Sequence, residues 1–151
     1  LTPAQFWPAI RAGWERTVEF MRERPEDVRL WRDFQHNWRR LADSGPARRL
    51  RERSLSMGAQ LGELGQSLNC VRRDLTPRQC AELVNAVDTV VDDWFFQALE
   101  ARGEEEAFRE QGELSILLIW RILAPVDQLG SPPFPDRAKA PPANQEGETG
   151  S

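Results

Sequence analysis

The chain has 151 residues, 40% of them hydrophobic and 29% charged, which suits one domain with a proper core rather than a disordered or disulfide-stapled chain. A formal net charge of -4 argues against the broad basic surface that sequence-independent nucleic-acid binding requires. The longest apolar run, Ile116 to Trp120 with its flanks, is far below the roughly 20 residues of a membrane span, and the opening LTPAQFWPAI has neither an initiator Met nor a signal-peptide layout. A cytoplasmic protein, or a fragment of one, is expected.

Thr2-Pro3-Ala4-Gln5 reads as a capping box. The Thr hydroxyl accepts from the third amide, Pro has no amide to leave unsatisfied, and Gln reaches back to the cap. A first helix therefore starts near residue 3, with Phe6, Ile10, Trp14, Thr17 and Met21 as its stripe and Trp7, Val18 and Phe20 beside it. Pro25 excludes Arg24 from the helical conformation, so it ends this helix and opens a second. There Val28, Trp31, Phe34, Trp38, Leu41 and Ala42 repeat the pattern. His36, the single histidine, falls away from that stripe on the solvent side. Asp33 and His36 at i, i+3 look like half of a di-iron bundle site, but the second histidine such a site needs is missing, so no metal is expected.

Ser44-Gly45-Pro46 stops the second helix and starts a third over 46–72. It begins arginine-rich and becomes apolar only from Leu55, with Met57, Leu61, Leu64 and Leu68 on one side and Gly58, Gly62 and Gly65 on another. Three interior glycines cost about 2–3 kcal/mol of helix propensity relative to alanine. Either close helix packing or space left open must compensate. Arg39, Arg40, Arg48, Arg49, Arg51 and Arg53 read as a solvated face partly offset by Asp43 and Glu52, with capture of an anion as the other use.

A second capping box, Thr76-Pro77-Arg78-Gln79, opens a helix over 77–102. One half of its wheel is filled by Leu83, Val84, Val87, Val90, Val91, Trp94, Phe95 and Ala98. The other half mixes Asn85, Asp88, Thr89 and Asp92 with Ala81, Phe96 and Leu99, a lining that suits a ligand pocket or a semi-polar subunit contact. After Gly103 a fifth helix runs over 104–124. Its second half, LSILLIWRILA, is apolar nearly all round and calls for cover on more than one side. A small bundle supplies little of that, so a homodimer is predicted, with Val91, Phe95, Ile116, Ile119, Trp120 and Leu123 at the contact. Pro125 closes the folded part. Residues 1–126 form the helical domain, and 127–151, with Pro132, Pro133, Pro135, Pro141 and Pro142 among small polar residues, are expected to be a disordered tail.

The chemistry of catalysis is thinly represented. One histidine, no nucleophile elbow, no phosphate loop, no dinucleotide fingerprint and no zinc-protease motif argue against an enzyme and imply no cofactor. Cys70 and Cys80 flank the Asp74 to Pro77 turn; plain thiols are the default, a redox pair the alternative.

Val71-Arg72-Arg73-Asp74-Leu75-Thr76-Pro77, followed by Cys80-Ala81-Glu82-Leu83-Val84 and a helix ending in Trp94-Phe95-Phe96, resembles the V-R-x-D-L-x-P turn and D-x-W helix of many TetR/AcrR-family transcriptional regulators. The order of elements is similar as well: Phe20 to Glu26 as F-x-x-x-x-P-E, then Leu30-Trp31-Arg32-Asp33-Phe34, a glycine-bearing helix and two apolar helices. The resemblance covers residues 1–126. It implies an all-α effector-binding and dimerisation domain that pairs through its last two helices. DNA reading in that family belongs to an N-terminal helix-turn-helix, which is missing ahead of Phe6, so DNA enters only through that absent part. On this basis a small apolar or amphipathic effector is expected among Trp31, Phe34, Trp38, Met57, Leu61 and Trp94, with Asn85, Asp88 and Asp92 as polar anchors. A helical protein-interaction module without a ligand is the alternative.

Overall fold

The computed structural model describes residues 1–24, 26–28, 30, 33 and 45–130, with only the backbone of 104–106 and 109–112. It is all-helical, and the described residues contain no strand. The helices are α1 (Pro3–Arg22), α2 (Gly45–Ser67), α3 (Pro77–Arg102), α4 (Glu104–Leu123) and a short 3-10 helix, Val126–Gln128. Residues 26–28, 30 and 33 are helical too. The remainder of the second predicted helix, with Trp31, Phe34, His36, Trp38, Arg39, Arg40 and Asp43, lies outside the described residues.

Both capping boxes form. Thr2 donates its amide to Gln5 Oε1 at 3.0 Å. Thr76 donates to Gln79 Oε1 at 2.8 Å and accepts the Gln79 amide on its hydroxyl at 3.2 Å. Each cap is worth about 1 kcal/mol. Gly103, at φ 90°, turns the chain between α3 and α4, a conformation that side chains with a Cβ rarely adopt.

The 68–76 segment holds the bundle's closed end. Asn69, at φ 55°, reverses the chain after α2, and the Cys70 and Val71 amides both donate to Gly65 O, at 2.8 and 3.1 Å. Gln66 Nε2 donates to the carbonyls of Arg72 and Leu75 at 2.9 and 2.8 Å. The Arg73 guanidinium donates to Gln66 O, and Arg72 pairs with Asp74. The Arg72 amide reaches Leu123 O at 2.7 Å, and its guanidinium reaches Ile122 O, so the end of α4 is tied to the same turn.

α3 packs against α2 on one side and α4 on the other, and α1 leans on α4. The glycines of α2 serve close packing. A Cβ on Gly65 would run into the Val71 side chain and stand 2.7 Å from the Phe6 ring, and one on Gly58 would stand 3.0 Å from Ala81 Cβ. The core is split. One cluster joins Phe6, Trp7, Cys70, Val71, Cys80, Ile119, Trp120, Leu123 and Ala124 at the closed end; the other joins Val28, Phe95, Phe96, Ala107 and Phe108 near the α3–α4 turn. Trp7 Nε1 donates to Cys70 O at 3.2 Å inside the first, so the indole is buried without an orphan donor. Cys70 and Cys80 are free buried thiols of that same cluster.

Two expectations change. Val91, Phe95, Ile116, Ile119, Trp120 and Leu123, expected at a subunit contact, are each 9% exposed or less within the single chain. α1, α3 and the 68–76 turn supply the cover that a partner was invoked for, because α4 sits between α1 and α3 rather than at an edge. The folded part also runs past residue 126: Val126–Gln128 is helical, and Gln128 Nε2 donates to Asn69 O at 2.9 Å. Residues 131–151 lie outside the described residues.

A candidate ligand site in the middle of the bundle

Between the two apolar clusters lies a layer of different character. Phe95 of α3 and Phe108 of α4 meet with ring centroids 5.0 Å apart, which fixes the antiparallel register of the pair. Seven residues is about two helical turns. Seven residues back along α3 and seven onward along α4 therefore bring Asp88 opposite Ser115 on the same seam. α1 runs antiparallel to α4, with Phe6 and Trp7 in the Trp120 and Leu123 cluster and Arg11 Nη2 at 3.9 Å from Glu113 Oε1. That register sets Trp14 within about one turn of Ser115, and long helical side chains lean toward their helix N-terminus, here toward Ser115.

Each of the three residues carries a buried polar atom with no hydrogen-bond partner: Trp14 Nε1, Asp88 Oδ1 and Ser115 Oγ. A buried polar group left unpaired costs about 1–3 kcal/mol. Native interiors hold few such atoms, and three from three helices that the register sets within about a turn of one another call for an explanation. Burial raises the Asp88 carboxyl from its ordinary 3.8 to about 6. Asp92, one turn along α3, is 5% exposed and has a partner of its own. Ser115 is fully buried, and Val91 and Ile116 fill the apolar part of the layer.

The anchors expected from sequence thus divide. Asp88 and Asp92 face the interior, whereas Asn85 is exposed. Met57, Leu61 and Trp94 are also exposed, at 62%, 44% and 48%, because α2 turns its glycines inward to α3 and carries Met57 and Leu61 on a flank. Trp31, Phe34 and Trp38 lie outside the described residues. Trp14 and Ser115 were not assigned to the site from sequence. Ser115 had a signal, a lone hydroxyl inside LSILLIW; Trp14 looked like any other core aromatic of its stripe.

A surface cleft of about 450 Å³ opens at the closed end, between the Trp7 and Trp120 rings, with Asn69 and Gln128 on its rim. Cys70 lines it, with its thiol donating to Pro3 O at 3.4 Å and its pKa raised by burial. Unlike the middle layer, its polar rim is already hydrogen-bonded. The described residues contain no group of three or more histidine, cysteine or carboxylate side chains placed to hold a metal ion, and no helix long and apolar enough to cross a membrane.

Comparison with protein-family models, with curated proteins and with solved structures finds no match for this chain.

Proposed function

We propose that the chain is the effector-binding and dimerisation domain of a TetR-type transcriptional regulator, a cytoplasmic repressor whose DNA-reading helix-turn-helix lies outside this chain. The observation that carries this is the unsatisfied layer of Trp14, Asp88 and Ser115 between two filled apolar clusters. A pocket for a small amphipathic molecule needs a few convergent polar groups within an apolar surround. Trp14 belongs to α1, the helix that leans chiefly on α4, and in the intact regulator α1 is the element nearest the DNA-reading part. A ligand that displaces Trp14 shifts α1 between two positions, and the ligand's differential affinity for them sets the response. The turn on which the family resemblance rests supports the same view, since Val71, Arg72, Asp74 and Thr76 each perform a distinct task there.

Pairing takes place, in this proposal, on the outer face of α3 and α4. Leu83, Val90 and Trp94 are exposed on α3, with Val87 half-buried among them, and Leu114 and Leu118 are half-buried on the flank of α4 that faces the same way. At tens of micromolar the chain should sediment as a dimer, and Val90→Glu should yield a folded monomer. Ile116→Glu should unfold the chain instead. A wild-type monomer at that concentration rejects pairing. Ligand sensing is tested by thermal shift against a chemically varied panel of small amphipathic molecules, with a saturable rise in Tm expected.

The exposed Met57, Leu61 and Leu64, at i, i+4 and i+7 on α2, favour a second function, a protein-interaction module with no small ligand. It gains if no member of the panel binds.

A further inference from the structure

The unpaired atoms of the middle layer are chemically specific. Asp88 Oδ1 accepts, Trp14 Nε1 donates, and Ser115 Oγ does either. Among the described residues, positive charge is what the layer lacks. Among the described side chains of α1 and α4 the nearest charges are Arg11, Glu15 and Glu113, and Arg11 is already paired with both carboxylates, at 2.9 and 3.9 Å. On α3 the next inward charge is Asp92, which already has a partner. Arg51 of α2, nearest by register, is exposed. A buried carboxylate with no cation beside it is the costliest member of the set, and an anionic guest would meet the Asp88 carboxylate.

Resting on the sensor function proposed above, we infer that the layer takes an organic amine carrying an apolar body and a hydrogen-bond acceptor near the nitrogen. Its ammonium donates to Asp88 Oδ1 and to Ser115 Oγ, and its acceptor receives the Trp14 indole N–H. Room for the apolar body comes from Trp14, the largest side chain of the three, on the helix that leans chiefly on α4. Each orphan atom then gains a partner of the opposite kind. A neutral guest of the same shape satisfies the hydroxyl and the indole but leaves the carboxylate without its counter-charge. Recognition therefore rests on charge at one atom, with shape tolerance elsewhere, which is the pattern of a site that accepts several amines of related size.

The test uses the full chain and two pairs of probes at pH 7.5: 2-(1-naphthyloxy)ethylamine against 2-(1-naphthyloxy)ethanol, and 2-amino-1-phenylethanol against 1-phenylethane-1,2-diol. Titration calorimetry should show each amine binding at least about tenfold more tightly than its neutral counterpart, the discrimination that a charge-assisted hydrogen bond of about 1.4 kcal/mol confers. Asp88→Asn should bring each pair to within about twofold while leaving the neutral probes' affinity as it was. In ¹⁵N spectra the indole signal lost in Trp14→Phe should be the one that moves most on titration. Removing a buried carboxylate does not threaten folding, and circular dichroism of Asp88→Asn verifies that. Equal affinity of amine and alcohol, or a preference that survives in Asp88→Asn, overturns the amine inference and leaves a sensor of neutral molecules. Shifts confined to the Trp7 and Trp120 indoles place binding in the surface cleft and overturn it equally. Absence of binding by these probes and by the wider amphipathic panel overturns the sensor function itself.

Discussion

The closed end of the bundle and its middle layer are made from the same helices and follow opposite rules. At the closed end polar groups are matched: the Trp7 indole to Cys70 O, the Gln66 amide to two loop carbonyls, the Arg72 amide to the last carbonyl of α4. Seven residues along the same helices, Trp14 and Ser115 keep polar atoms that nothing receives, and Asp88 keeps a carboxylate whose proton is held more tightly by burial. One region has its polar groups matched by its own chain; the other leaves three buried polar atoms unpaired. Satisfaction of polar atoms, rather than burial, is what separates the two regions, since both are well covered.

That contrast can be broken by mutation. The largest effect should come from Trp120→Ala in the finished region, a loss of about 3–5 kcal/mol in urea unfolding, because a fully packed indole leaves a cavity its neighbours cannot fill. Gly65→Ala should follow at about 1–3 kcal/mol, since the new methyl meets Val71 and the Phe6 ring. Asp88→Asn in the middle layer should have the opposite sign and stabilise the chain, by on the order of 2 kcal/mol at pH 7.5. The pH dependence follows from the raised carboxyl. Below its ordinary 3.8 Asp88 is protonated folded or unfolded, so the variant gains nothing there. As pH rises toward about 6 the wild type loses stability, and above that the advantage of the variant is complete. A variant no more stable than wild type at pH 7.5 would show that Asp88 is already satisfied. The smallest effect, within about 0.5 kcal/mol, should come from Met57→Ser on the exposed flank of α2; a larger loss would mean that a partner covers this flank.

Much of the scaffold could be read from the sequence because its signals are local. Thr2-Pro3 and Thr76-Pro77 mark helix starts through their own side chains, and Gly103 marks a turn through its own φ. What periodicity could not supply was which neighbour covers which face. The run over 114–124 is apolar all round whether a partner or α1 lies against it, so Ile116 and Trp120 were assigned to an interface when they belong to the interior. Likewise the α2 glycines are compatible with an open cavity or a tight contact until the positions of Phe6, Val71 and Ala81 are known. Of the site, Asp88 and Asp92 were legible as carboxylates on a half-apolar face. Trp14 was not, because an indole in a core stripe reveals an unpaired N–H only after its surroundings are placed.

The bond from the Arg72 amide to Leu123 O has a kinetic meaning as well. It joins positions far apart in sequence, so the turn between α2 and α3 cannot acquire its full set of partners while the chain is still short of α4. The helical hairpin of α2 and α3 can form from local contacts, but its turn stays incomplete until the last long helix docks, and contacts that close large loops are slow to form. The docking of α4 is therefore the step that seals the turn its two predecessors began.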